Sequence, residues 1–68
     1  MNQVEFTKAE TALTAEIIER YGLHCDCAQG GDEKGAQAHK RVMELAKQTL
    51  GYLYDKNPKL SRAEWKGY

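Results

Sequence analysis

The sequence predicts an all-α protein in which an antiparallel hairpin of two helices precedes a short C-terminal helix and associates with itself. Two long segments carry apolar residues at three- and four-residue spacing, which is typical of amphipathic helices. Glycines separate these segments, and an Asn57-Pro58 pair follows the second one. With 68 residues the chain forms a single domain, residues 1–68, and its small core predicts marginal stability without a partner.

The first helix is predicted over residues 7–21. Thr7 and Glu10 have the spacing of a capping box, in which each side chain bonds the other residue's backbone amide. One apolar stripe then follows at helical spacing, formed by Phe6, Ala9, Leu13, Ile17 and Tyr21. Gly22 is predicted to end this helix, and residues 22–31 to form the connecting loop.

The second helix is predicted over residues 32–56, with Asp32 as its N-cap. Two apolar lines run along it. The first faces the partner helix and comprises Ala36, His39, Val42, Met43, Ala46, Leu50, Leu53 and Tyr54. The second adds Ala38, Leu45, Thr49 and Tyr52, so that the apolar arc covers about 200° where a surface helix needs only about 100°. This excess predicts an interface with another chain.

The short third helix is predicted over residues 61–66. Ser61 and Glu64 form a second capping box, and Leu60 and Trp65 have the spacing of a hydrophobic staple. Trp65 is therefore expected to pack near the end of the hairpin. Together with the second apolar line, it completes the predicted interface of Ala38, Val42, Leu45, Thr49, Tyr52 and Trp65.

Charge is distributed unevenly although the net charge is zero. Residues 1–33 hold two basic and seven acidic side chains, whereas residues 34–68 hold eight basic and three acidic ones. This polarity favours antiparallel docking of the two halves or head-to-tail pairing of two chains. It also leaves open a second hypothesis, that a nucleotide or nucleic acid binds the basic half through Lys40, Arg41, Lys47 and Lys56.

Cys25, Cys27 and His39 are a weak candidate for a zinc site. Zinc binds four nitrogen or sulfur ligands in structural sites, but paired cysteine ligands are usually separated by two to four residues, and here by one. A disulfide between them would close a strained ring, so reduced thiols are expected. We predict no cofactor and no enzymatic activity, because neither histidine has an assignable third group to orient it toward a nucleophile.

No apolar run approaches the roughly 20 residues that cross a bilayer, so no membrane partner is expected. The N-terminus lacks the pattern of a secretory signal, and the predicted location is the cytoplasm.

Two stretches resemble the end of the Hha/YmoA family of small helical nucleoid-associated modulators, namely residues 38–45 and residues 53–58 with Trp65-Lys66 beyond. The resemblance implies binding to a larger DNA-associated protein. It covers under half of the chain, requires about one extra helical turn between the stretches, and has no counterpart in residues 1–35, so we assign no family from it.

The sequence thus predicts a small adaptor or inhibitor that binds a larger protein through an apolar helical face, of the kind that phages and plasmids encode as accessory proteins. Small size is the reason for suggesting that origin. The binder of an anionic ligand is the alternative. Loss of Leu45 or Tyr52 should abolish the first function, and loss of Lys40, Arg41 or Lys47 the second.

Overall fold

The computed structural model describes residues 1–63 and shows two α-helices packed against each other as a hairpin. Helix α1 spans Gln3–Gln29 and helix α2 spans Glu33–Lys56. Residues 1–63 contain no β-strand. Within the same residues, neither helix is long and apolar enough to cross a membrane. The predicted helical hairpin is confirmed, while its helices differ in length from those predicted.

Helix α1 begins at Gln3, four residues before the predicted start. Asn2 is the N-cap: its Oδ1 accepts a 2.8 Å hydrogen bond from the Glu5 amide, and its Nδ2 donates to the Glu5 carboxylate. The first bond satisfies one backbone amide of the first turn, and the second holds the two side chains together. Thr7 lies inside the helix, where its Oγ1 accepts a hydrogen bond from Gln3 Nε2. The prediction that Thr7 starts the helix is therefore wrong.

Gly22 does not end α1, which continues for two more turns to Gln29. A glycine inside a helix costs about 1 kcal/mol relative to alanine, which is less than two turns of packed helix contribute. Those turns contact the start of α2, where His24 Nδ1 lies 2.8 Å from the Ala36 carbonyl oxygen. The predicted loop of residues 22–31 is thus mostly helix.

The turn between the helices consists of Gly30, Gly31 and Asp32. Gly31 has φ of +80°, a backbone conformation that costs side-chain-bearing residues about 1–2 kcal/mol. Asp32 is the N-cap of α2, as predicted, and its Oδ1 accepts a 3.0 Å hydrogen bond from the Gly35 amide. The reversal of the chain therefore needs three residues, and it brings the two helices side by side along their whole length.

The core lies along the line where the helices meet. Phe6 and Ile17 of α1 are fully buried. Ile17 packs in one cluster with the buried α2 residues Met43, Ala46 and Leu50, Phe6 packs against the Tyr54 ring, and Ala36 is buried nearer the turn. Leu13, Leu53 and Tyr54 pack around this cluster and are half-buried. The centre of each stripe predicted to face the other helix is buried, whereas Ala9 and Leu13 of the α1 stripe are half-buried and Tyr21 is exposed, because one helix covers a seam of only about 100° on another.

The chain after α2 turns back along the first two turns of α1. Gln3 makes two hydrogen bonds to the Ser61 backbone, at 2.8 Å to its oxygen and 2.9 Å from its nitrogen. The Ala63 amide donates to the Glu10 carboxylate, and Arg62 lies over the Tyr54 ring. Residues 61–63 are not helical. The remainder of the predicted helix 61–66, including Trp65, lies outside the described residues.

Candidate interaction surface

An open groove runs between the two helices on one face of the hairpin. Its volume is about 600 Å³, and its lining is mainly apolar. Ala9 and Leu13 form the α1 side, Thr49, Tyr52 and Leu53 form the α2 side, and Met1 lies at one end. We call this side of the molecule the groove face. An apolar concavity that none of residues 1–63 fills is a typical site for another molecule to bind.

The apolar line predicted on α2 lies on the groove face and continues beyond the groove. Leu45 is 57% exposed and Tyr52 is 66% exposed, while Val42 is half-buried. Ala38 and Thr49 are also exposed. Spacings of three and four residues connect these five side chains, so they form one continuous line about 21 Å long, given a rise of 1.5 Å per residue. The excess apolar surface predicted from the sequence is therefore exposed in this structure.

Tyr52 contributes the largest exposed apolar surface of the groove. The Nζ atom of Lys56 lies 5.4 Å from the centre of the Tyr52 ring, within the range of a cation–π contact. At an exposed site such a contact contributes about 0.5–1 kcal/mol. Lys56 thus places a positive charge on the groove face beside Tyr52.

Charged residues flank the groove face with opposite signs on the two helices. Helical spacing places Glu5, Glu19 and Asp26 along the outer side of Ala9 on α1, and we call these three residues the acidic rim. The same spacing places Lys34 and Arg41 along the outer side of Tyr52 on α2, while Lys56 follows Tyr52 by one turn and lines the groove; these three residues form the basic rim. All six residues are exposed. Two exposed residues have the opposite sign to their neighbours, namely Lys8 on this side of α1 and Asp55, which continues the line of Lys34 and Arg41 on α2.

The four residues proposed for anion binding do not share one face of α2. Arg41 and Lys56 belong to the basic rim, whereas Lys40 and Lys47 lie toward the other side of the helix, because successive residues are about 100° apart. Lys47 is half-buried and has interactions of its own. The geometry therefore offers an anion two separated pairs of cations.

The structure does not bring Cys25, Cys27 and His39 together as a metal site. Cys25 and Cys27 are two residues apart in a helix, so their side chains point in directions about 160° apart. His39 lies about a turn farther along α2 from Cys27, and its Nδ1 is 3.1 Å from Arg20 Nη1. Among residues 1–63, no group of three or more histidine, cysteine or acidic side chains has the geometry to hold a metal ion.

Cys27 faces the start of α2, where Asp32 folds over Gly35. Burial, the negative charge of Asp32, a hydrogen bond to Asp32 and the charge of Asp26 together raise the pKa of the Cys27 thiol. A raised pKa keeps the thiol protonated at neutral pH, and a protonated thiol is a poor nucleophile and a poor metal ligand. This environment is typical of a structural cysteine.

Sequence reasoning missed the contribution of α1 to the groove face. Ala9 and Leu13 belong to the stripe that was expected to be covered by α2, yet both are only half-buried and line the groove. Met1 was assigned no role and is 62% exposed at the end of the groove. One signal in the sequence was available. Glu16 follows Leu13 by three residues, so a charged side chain lies beside Leu13 on the helix and marks Leu13 as the edge of the apolar stripe.

Comparison with known proteins yields no match to a family model, a curated protein or a solved structure.

Proposed function

We propose that this chain is a non-catalytic protein-binding module, an adaptor or inhibitor that acts as a self-associating helical hairpin through its groove face. The observation that carries the proposal is the exposed apolar line from Ala38 to Tyr52 beside an open groove. Burying such a line provides roughly 25 cal/mol for each Å² removed from water. A chain of this size, with one small core, gains proportionately more from that burial than a large domain does.

The molecule measures 43 by 17 by 16 Å, and the apolar line runs for about 21 Å along its longest dimension. Self-association would use the groove face. Exposed apolar residues on the other side of α1, such as Val4 and Ile18, would remain available to a larger protein target.

A cytoplasmic location is part of this proposal. Cys25 and Cys27 are both free thiols, and reduced cysteines are the normal state in reducing compartments. No bound cofactor, membrane or catalytic group enters the proposed function. The phage or plasmid origin suggested by small size stays a prediction.

The proposal is tested by measuring self-association of variants with sedimentation equilibrium. Leu45→Asp and Tyr52→Asp should each raise the dissociation constant at least about tenfold, because each would bury a charge in the apolar line. Ile18→Asp is the matched control, since Ile18 is 51% exposed and lies nine residues after Ala9, on the opposite side of α1. Far-ultraviolet circular dichroism establishes that all three variants fold.

Two outcomes would contradict the proposal. A wild-type chain that stays monomeric at several hundred micromolar would show that the groove face does not associate. An equal effect of Ile18→Asp and Leu45→Asp would show that the effect does not depend on this face. Titration with a short DNA duplex or with inorganic phosphate tests the alternative ligand class, for which Lys40→Ala and Lys47→Ala should matter and Leu45→Asp should not.

A further inference from the structure

The two charged rims have an arrangement that favours one specific partner for the groove face. In a single copy the acidic rim lies along α1 and the basic rim along α2, at opposite edges of the groove face, and of these six residues only Glu5 and Lys56 lie alongside the groove itself. A partner that covers the groove face is therefore favoured when it presents basic charge to α1 and acidic charge to α2. The chain itself has this pattern, and we propose that the groove face binds a second copy related by a twofold axis parallel to the helices.

This symmetry places α1 of each copy against α2 of the other. A rotation about an axis parallel to the helices does not change a residue's position along that axis, which we call its height. Each residue therefore faces the residues of the partner copy that lie at the same height. All four neighbouring helix pairs are then antiparallel, which is the usual arrangement in a four-helix bundle. In such an interface each contact between two residues occurs twice.

The register of the hairpin decides which charges meet. Phe6 packs against Tyr54 at one end, Arg20 meets His39 near the middle, and His24 meets Ala36 toward the turn. The members of the two rims fall at matching heights: Glu5 with Lys56, Glu19 with Arg41, and Asp26 with Lys34. In the proposed dimer each of these pairs forms across the interface between copies.

The other face-to-face twofold arrangement lacks this complementarity. A twofold axis that is perpendicular to the helices and lies in the plane of the interface would place α1 of one copy on α1 of the other, and α2 on α2. The acidic rims would then face each other, as would the basic rims, and like charges in contact cost free energy. Electrostatics thus selects one dimer from two that would bury the same apolar residues.

The inference rests on the proposed self-association, and its experiment separates the two. One double variant, Glu19→Lys with Asp26→Lys, makes both rims basic except at Glu5. The other, Lys34→Glu with Arg41→Glu, makes both rims acidic except at Lys56. The changed side chains are exposed, and the new charges near the turn interact favourably with the helix dipoles, so both hairpins should fold. Circular dichroism measures that folding.

Each double variant alone should dimerise about tenfold more weakly than the wild type, because four attractive contacts worth a few tenths of a kcal/mol become repulsive. An equimolar mixture of the two should regain wild-type affinity. Weaker wild-type dimerisation at high salt is expected for the same reason. These results alone would also allow complementary heterodimers with α1 on α1, so a further variant is required.

The chain carrying all four substitutions has its rims exchanged and should dimerise as tightly as the wild type. It should not form heterodimers with wild type, because acidic rims would then face acidic rims. Native mass spectrometry of ¹⁵N-labelled wild type mixed with unlabelled exchanged chain measures this directly. A preference for heterodimers would overturn the inference while leaving self-association intact. A monomeric wild type would overturn both and assign the groove to a different protein.

Discussion

The hydroxyl of Tyr54 donates a 2.6 Å hydrogen bond to the carboxylate of Glu10, whose residue is only 4% exposed. The same carboxylate accepts the Ala63 amide at 3.2 Å. One buried acidic group thus connects α1, α2 and the chain that follows α2. Because an acidic group in this position needs hydrogen-bond donors to offset the loss of water, both donors are expected to matter for stability.

Replacing Tyr54 with phenylalanine should lower the free energy of unfolding by roughly 1.5–3 kcal/mol, the range for hydrogen bonds to charged groups. Tyr52→Phe is the matched control, since that hydroxyl is on a largely exposed ring, and it should change stability by less than about 0.5 kcal/mol. Urea unfolding followed by circular dichroism measures both values. Equal losses in the two variants would show that the Tyr54 hydroxyl has no special role.

The glycines should respond to alanine in opposite directions. An added methyl group at Gly22 or Gly51 meets no atom within 4 Å, so Gly22→Ala and Gly51→Ala should each stabilise the hairpin by up to about 1 kcal/mol. Gly31→Ala should destabilise it by about 1–2 kcal/mol, because φ there is +80°. Thermal unfolding measures the three variants. A destabilised Gly22→Ala chain would contradict a helix that continues through this position.

Gly35 differs from the other helical glycines. An added methyl group would lie 2.8 Å from Asp32 Cγ and 3.1 Å from Cys27 Sγ, so the capping side chain would have to move. Loss of an aspartate N-cap costs about 1 kcal/mol, which offsets the gain in helix propensity. Gly35→Ala should therefore fail to give the stabilisation expected for Gly22→Ala. The same thermal unfolding experiment measures it, and an equal gain at both positions would contradict the close packing around Gly35.

The start of α1 is tested by a pair of substitutions. Asn2→Ala should cost about 1 kcal/mol, because the Glu5 amide loses its 2.8 Å partner. Thr7→Ala should change stability by less than about 0.5 kcal/mol, since Thr7 is exposed and inside the helix. Hydrogen exchange of the amides of the first turn gives the sharpest measurement. Greater loss of protection in Thr7→Ala would support the start predicted from the sequence.

Cys27 should ionise at higher pH in the folded chain than in the unfolded chain, because burial and Asp32 raise its pKa. The folded chain holds the thiol proton more tightly than the unfolded chain does. The stabilisation of the folded state by this difference is complete at neutral pH, and it is lost as the pH rises through the pKa of Cys27 in the folded chain. Alkylation rates of the Cys25→Ser variant against pH, with and without denaturant, measure the shift. Asp32→Asn keeps a side chain that can cap α2 but removes the negative charge. It should therefore lower the pH at the midpoint of the alkylation-rate curve of Cys27.

An unchanged midpoint in Asp32→Asn would show that the carboxylate does not act on the thiol. A folded-state midpoint below the unfolded one would contradict the raised pKa itself. Cys25→Ser alone serves as the reference for both measurements.

Some elements of this fold were predictable because their signals are local. The apolar spacing of α2, the Asp32 cap and the Asn57-Pro58 stop depend on residues within a turn or two of each other, and α2 spans Glu33–Lys56 as expected. The same spacing identified Ala38, Leu45 and Tyr52 as surplus apolar residues, which are exposed. That these three residues bind a partner is a proposal.

The bounds of α1 were not predictable from local signals. The local signals at Thr7 and Gly22 predicted a helix over residues 7–21, whereas α1 is capped by Asn2 and Gly30. Packing decides between these two pairs of bounds. The longer helix covers the start of α2 with His24 and Cys27, and that burial outweighs the approximately 1 kcal/mol cost of Gly22 inside the helix.

The sequence by itself determined that this protein has two amphipathic helices and more apolar surface on the second than one partner helix covers. Only the tertiary structure decided where that surplus lies, because a groove requires Ala9 and Leu13 of α1 beside Tyr52 of α2. Helical periodicity specifies directions around one axis, whereas the height at which two helices pack depends on contacts between residues far apart in the chain, such as Glu10 with Tyr54.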